Sequence, residues 1–203
     1  MSYEILNAGT AELEVEKSKF ISMCLYCENP LKVQDFLKKL KKDHQKAHHI
    51  CYAYKINDQI KYSDDGEPSG TAGRPILNLI NLYDLNNCLV LVIRYFGGTL
   101  LGSGRLLRTY AESAKRAINN AILVELVKEN YFKIEIDYDT YDSFNHYLKI
   151  NHFSIIKINF NDKIKVEFYT PLSFKESIED LFYGKLKILE FKEVIHRKEK
   201  KDV

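Results

Sequence analysis

The sequence predicts an α+β protein of two domains, and two observations carry that prediction. Apolar periodicity runs through one set of strands and helices and then restarts near residue 129. In the second set the order is strand, helix, strand, strand, helix, strand, a ferredoxin-like βαββαβ unit of domain size. With 203 residues, 45% of them apolar, and no repeated or biased segment, the chain has enough apolar side chains for one or two cores. The expected domains are 1–128, built of mixed helix and strand, and 129–203, the ferredoxin-like unit.

Taken in order, residues 1–7 lack the basic start and apolar core of a signal peptide. Nowhere does an uncharged apolar run reach the length needed to cross a bilayer. A cytoplasmic protein with no membrane partner is expected. "KSKFISMCLYCE" reads as a strand. Its Cys24 and Cys27 have the spacing of zinc knuckles and redox sites, but residues three apart on a strand point to opposite faces, and no glycine turns the backbone there. Together with Cys51 and Cys88 they are expected to be ordinary buried thiols. "ENPLKVQDFLKKLKKDH" predicts a helix capped by Asn29, with Pro30 in its first turn and Val33, Phe36, Leu37 and Leu40 on one face. In "HHICYAYKI" the alternation of Ile50, Tyr52, Tyr54 and Ile56 predicts a half-buried strand, and the continuous run "NCLVLVIRYF" a central one. Leu107, Tyr110, Ala111, Ala114, Ile118 and Ile122 mark an amphipathic helix.

In the second half, Phe132, Ile134 and Ile136 alternate on a strand, and Tyr141, Phe144 and Leu148 share a helix face. "FSIIKINF" and "KIKVEFY" flank Asn161-Asp162 as a hairpin. A further helix is predicted from Ser173, with Glu176 completing a capping box and Phe174, Ile178, Leu181 and Phe182 buried. "LKILEFKEVI" closes the set as a strand, and the charged tail "HRKEKKDV" is expected to fray.

The net charge of +2 announces no overall basic field. Residues 1–128 carry 17 basic against 14 acidic side chains, or +3, and the remainder 13 against 14, or −1, so phosphate contact is expected in the first half.

Two stretches carry chemistry. "SDDGEPSGTAGRPI" has more carboxylate, hydroxyl and glycine than a turn requires. In "VIRYFGGTLLGSGRLLRTY" a buried strand ends at Arg94-Tyr95-Phe96, Gly97-Gly98 frees the backbone, and Gly102-Ser103-Gly104 leads into a helix. Unpaired amides at a positive helix end are a means of holding an anion, with Arg94, Arg105 and Arg108 as the available cations. The alternative is that the glycines serve packing and the arginines pair with Asp64, Asp65 or Glu67. Neither a Walker A lysine-hydroxyl pair nor a dinucleotide fingerprint is present. His48, His49 and Cys51 suggest a structural role rather than a metal site, since no second ligand pair is suitably spaced. The three carboxylates could bind magnesium with a phosphate, but turn formation and pairing to arginine are the favoured reading.

These same stretches, with "KSKFI" and "HHICYAY" before them, resemble the IMPACT family in its bacterial YigZ-like branch over roughly residues 15–120. The resemblance implies a first domain with the fold of the second domain of a small-subunit ribosomal protein, shared with small-molecule kinases of the GHMP type. It implies a ferredoxin-like second domain resembling the last domains of elongation factor G. Eukaryotic members are translation regulators that act by protein binding, and the bacterial branch has no settled activity. The family's acidic loop falls on Asp64, Asp65, Gly66, Glu67, Pro68, Gly70, Thr71, Gly73 and Pro75; its strand-end motif falls on Arg94, Tyr95, Phe96, Gly97, Gly98 and Gly102. His49 and Cys51 also fall on a family motif. Leu100 stands where the family usually has lysine, and Arg105 where it has glycine.

The expected site is therefore one polar surface made from Asp64, Asp65, Glu67, Thr71, Arg94, Tyr95, Gly97, Gly98, Gly102, Gly104 and Arg108. It is expected to bind RNA or a ribosome-associated protein without turnover, cofactor or DNA specificity. The rivals are an enzyme acting on a phosphorylated small molecule, with Asp64, Asp65 or Glu67 as metal ligand or base, and a regulator acting purely through protein contacts.

Overall fold

The computed structural model describes residues 2–57, 59–174 and 177–198, which divide into two compact units. One contains residues 2–126 with 197–198, and the other is Val127–His196.

The first unit opens with β1 (Ser2–Asn7) and β2 (Gly9–Val15), two strands absent from the expected set. In β2, Ala11, Leu13 and Val15 are half-buried while Thr10, Glu12 and Glu14 are exposed, which is the period-two pattern of an edge strand. Next come β3 (Ser18–Tyr26), α1 (Pro30–Asp43), β4 (His49–Ile56), β5 (Gln59–Ser63), α2 (Gly73–Leu82), β6 (Cys88–Tyr95), α3 (Ser103–Asn119) and the start of β7 (Ile122–Ile136). Five of these strands form an antiparallel sheet in the order β2-β3-β6-β4-β5, while β1 pairs with the start of β7. As expected, α1 begins at an Asn29 cap whose side chain accepts from the Leu31 amide, with Pro30 in the first turn.

A core lies on each face of the sheet. Val33, Leu37 and Leu40 of α1 meet Ile50, Leu91 and Ile93 on one side. On the other, Ile76, Ile80, Tyr110 and Ala114 of α2 and α3 meet Phe20, Cys51, Val90 and Val92. This explains the unbroken apolar run of β6, whose alternate residues enter opposite cores. It also corrects β4, which is buried on both faces because Cys51 and Ala53 are small side chains packed under the helices. Cys24 enters one core and Cys27 the other, so the pair is split across the sheet.

Two helices differ from expectation. α2 occupies what reads as the end of a loop, since Pro75 is tolerated in a first turn. The buried face of α3 contains Leu106, Tyr110, Ala114, Ala117 and Ile118; Leu107 is exposed, and Ile122 lies beyond the helix on β7, where it pairs with Asn7 of β1.

The second unit continues along β7 into α4 (Tyr138–Ile150), β8 (Ser154–Phe160), β9 (Ile164–Pro171), α5 (Ile178–Leu181) and β10 (Leu186–Lys198). The sheet order β10-β7-β9-β8 places the first and third of its four strands in the middle. Phe132, Ile134, Val166 and Phe168 pack beneath Phe144, Leu148 and Ile178. The hairpin closes as expected, with the Asn161 amide donating to Lys163. α5 is a single turn capped by Ser177, not Ser173, so Leu181 is exposed; Glu176 lies outside the described residues. Of the tail, His196, Arg197 and Lys198 belong to β10, with His196 on Glu129 and Arg197 on Glu4; residues 199–203 lie outside the described residues. Among the described residues no helix is long and apolar enough to cross a membrane.

A Cβ on Gly9 would stand 2.1 Å from the Ala117 carbonyl oxygen, so β2 and α3 meet backbone to backbone. Gly9→Ala is expected to destabilise the first unit by about 1–3 kcal/mol, read as a lower urea midpoint at an unchanged slope.

Candidate functional site

Asp64 is the organiser of the acidic loop. Its Oδ1 accepts from the amides of Ala72 (3.0 Å) and Gly73 (2.8 Å), and its Oδ2 from that of Gly70 (2.9 Å). Ala72 offers α2 no side-chain cap, so a carboxylate eight residues upstream does that work, where negative charge also suits the helix dipole. Asp65 continues the sheet where β5 stops, its Oδ2 accepting from the Ile50 amide of β4 at 2.7 Å, with Lys41 Nζ 3.5 Å from Oδ1. Its carbonyl accepts from Nδ1 of His49 at 2.8 Å, and the Cys51 thiol donates to the Asp64 carbonyl at 3.0 Å. The family-motif pair His49 and Cys51 thus fastens the loop to β4.

Glu67 joins the two motifs. It is 8% exposed, and its Oε1 lies 2.7 Å from Nη1 of Arg94, 2.7 Å from the donating Tyr110 hydroxyl and 3.8 Å from His49 Nε2. Arg94, 5% exposed, has its guanidinium 5.4 Å from each of the Phe20 and Phe96 ring centres. Its Nη2 is 3.5 Å from Ser18 Oγ, and its Nε is buried without a hydrogen-bond partner among the described residues. Arg94 and Glu67 are therefore interior groups rather than ligands offered to solvent.

The remaining expected site residues divide in the same way. Thr71 turns its hydroxyl inward onto the Pro68 carbonyl (2.6 Å), and the Tyr95 hydroxyl meets His44 Nδ1 (2.6 Å). The Gly97 amide donates to Ser18 Oγ (3.1 Å), and a Cβ on Gly97 would meet the Lys17 carbonyl carbon at 2.1 Å. His48 Nδ1 accepts from the Phe96 amide at 3.1 Å. Beyond that point the chain is open. Gly98 and Gly102 adopt φ of +88° and +72°, backbone that other side chains adopt only with strain, and the loop they bracket leads to the first turn of α3. Arg105 pairs with Glu16 at 2.7 Å, while Arg108 is exposed beside Gly104. Gly104 has neither positive φ nor a crowded Cβ position, its nearest neighbour being Arg108 Nη1 at 3.9 Å.

In the sequence Tyr110 reads as plain helix core, and nothing there gives Ser18 a role. A tyrosine on an apolar helix face is the available signal, since a buried hydroxyl needs a partner. Burial drives the Tyr110 hydroxyl far above its ordinary range, with Cys51 and Glu67 adding to the rise; burial likewise raises the Cys51 thiol, aided by Glu67, Asp65 and Asp64. At neutral pH the phenol stays a donor and the thiol stays protonated. Among the described residues no three His, Cys, Asp or Glu side chains are grouped to hold a metal ion.

Two predictions follow from this geometry. Glu67→Ala leaves the buried Arg94 and Tyr110 without their acceptor and is expected to cost about 3–5 kcal/mol in urea unfolding, with Glu67→Gln costing less because the hydrogen bonds persist. The second concerns alkali. Burial pushes Cys24 and Cys88 up to about 12 from an ordinary value of 9.0, and raises Cys51 and Tyr110 as well. A raised pKa means that the folded state holds protons the unfolded state loses, so stability is complete below about pH 9 and falls above it, by up to about 1.4 kcal/mol per pH unit for each group. Urea midpoints that fall between about pH 8 and pH 10.5, and fall less in Cys24→Ala, are the expected result.

The first unit contains the match to a family model. The Impact N-terminal domain model matches residues 16–118. The IMPACT family member YvyE of Bacillus subtilis is 34% identical over 195 residues, covering 93% of this chain and 90% of that protein. YigZ of Escherichia coli, also an IMPACT family member, is 34% identical over 110 residues, 52% of this chain and 54% of its own length. A crystal structure of a hypothetical protein superposes with a TM-score of 0.60 at 24% identity, covering 93% of this chain and 96% of that one, a likeness of fold.

Proposed function

The chain belongs to the IMPACT family, and from that membership and the site's geometry we propose that it is a cytoplasmic, translation-associated binding or regulatory protein, contacting RNA or a ribosome-associated partner through the loop that leads into α3. The setting in translation is what the family resemblance implies. The single observation that carries a binding role is the division of labour within the two motifs. Asp64, Asp65, Glu67, Arg94, Tyr110 and Cys51 are engaged in holding the loops together, and the exposed residues include most of the loop 98–102, the first turn of α3 and Arg108, along with Gly66, Pro68 and Ser69. Carboxylates engaged with backbone amides or a buried guanidinium are poorly placed to act as a base or metal ligand. A small open surface of glycine backbone, a helix start and an arginine suits a phosphate.

Gly104 supports the same reading, because the fold gives no reason for a missing side chain there, whereas close approach of a ligand to the helix start would. A second reading, that this loop meets a protein, is favoured by Leu100. It is 87% exposed at a position where the family usually has lysine, and an apolar tip suits a protein partner better than a phosphate backbone. We propose a finer assignment of the two domains as well. The first domain, 1–128, has the fold of a small-subunit ribosomal protein's second domain, and the second, 129–203, is ferredoxin-like, a reading supported by its fourth-first-third-second strand order.

If RNA phosphates bind at the loop, Arg108→Ala weakens binding to all sequences alike and lowers the salt slope by about one unit in fluorescence anisotropy, with the fold intact. Gly104→Ala stabilises α3 by about 0.5–1 kcal/mol while weakening the same binding. RNA binding indifferent to salt and to both substitutions would leave the protein-partner reading.

A further inference from the structure

The second unit has a surface of a different chemistry. α4 and α5 cover one side of its sheet, over Phe132, Ile134, Val166 and Phe168. The alternating residues of β7 and β9 therefore point to the side without helices. There the register sets Tyr131 opposite Tyr169 on the two central strands, with ring centres 6.1 Å apart. The His196 ring lies on Tyr169 at 3.8 Å with planes 12° apart, and Lys192 Nζ stands 5.0 Å over the Tyr131 ring. Glu129 holds His196 at 2.8 Å, and Tyr131 is hydrogen-bonded to Glu167, so both outer rings are held by carboxylates.

The solvent side of an antiparallel sheet is ordinarily polar. Cross-strand pairing accounts for two aromatic rings on it. It does not account for a third ring stacked flat on the second, nor for an ammonium placed over the first. We propose that this helix-free face is a stacking surface for single-stranded nucleic acid, with bases stacking on the ring faces of Tyr131 and Tyr169 that Lys192 and His196 do not cover. Aromatic rings on the central strands of a four-stranded sheet are how RNA recognition motifs hold bases, and every base has a π-face to offer. Three lysines of this face are paired within it, Lys133 with Glu167 at 3.2 Å, Lys165 with Glu135 at 3.8 Å and Lys192 with Glu190 at 2.7 Å, while Lys157 of β8 stands exposed opposite Glu167. The attraction comes from stacking more than from charge, and its salt dependence is shallow. That separates it from the α3 loop, where phosphates are the proposed ligand.

The test uses the full chain and fluorescein-labelled octauridine and octaadenosine, followed by anisotropy, with an abasic octamer of the same backbone as control. Tyr131→Ala and Tyr169→Ala are each expected to weaken binding about 5- to 150-fold. Tyr131→Phe and Tyr169→Phe, which keep the ring, are expected to bind as the parent does, so a loss seen only in the alanine variants is not a loss of hydroxyl hydrogen bonds. Circular dichroism melts of all four show whether the sheet is intact. The abasic octamer is expected to bind poorly, and Arg108→Ala to leave the base-dependent part of the affinity unchanged, which keeps this result independent of the α3 loop. Equal binding of abasic and base-carrying octamers would overturn the proposal, as would full affinity in folded alanine variants. So would sedimentation showing that the tyrosines govern self-association while no octamer binds, since the face would then join two copies of the chain.

Discussion

The buried ion pair between Glu67 and Arg94 is the contact on which the first unit's architecture turns. One partner comes from the loop between β5 and α2 and the other from the end of β6, so a single 2.7 Å contact fixes the two polar stretches against each other. An ion pair this deep is tolerated only where other groups share its desolvation cost. The Tyr110 hydroxyl donates to the same carboxylate oxygen, and the guanidinium lies between the rings of Phe20 and Phe96. Because Tyr110 is on α3, the pair ties that helix to the sheet as well. Replacing these groups by apolar ones would keep the volume but lose the register between loop and strand.

The two aspartates beside Glu67 show why the motif carries three carboxylates. Each substitutes for a piece of secondary structure that the backbone does not complete. Asp64 supplies the missing cap of α2, and Asp65 supplies an acceptor to the Ile50 amide, beyond the reach of β5. The polarity of the stretch is thus largely directed inward. The segment less used by the fold is the glycine loop and the first turn of α3, where Gly98 to Leu100, Gly102 to Arg105 and Arg108 are exposed.

On the two proposals, the units would offer nucleic acid different things. The first carries the positive excess of the sequence and exposes backbone and arginine, which suits phosphates. In the second, several lysines and glutamates pair across one sheet face, while aromatic rings lie among them. The chemistry proposed is phosphate at the first and base at the second.

Local pattern determined most elements, because period two and period 3.6 are written in neighbouring residues: the Asn29 cap, the alternation of Phe132, Ile134 and Ile136, and the continuous run of β6 all predict what forms. The strand reading of "KSKFISMCLYCE" also placed Cys24 and Cys27 on opposite faces. α2 was illegible because its cap is Asp64, eight residues before Ala72 rather than at the helix boundary. The role of Arg94 was illegible for the same kind of reason. As residue types, an arginine at a strand end and a carboxylate 27 positions earlier read equally well as free ligands or as partners. Only packing decides, since the distance between them and the burial of both are set by α3 and the sheet closing over them, not by anything adjacent in the chain.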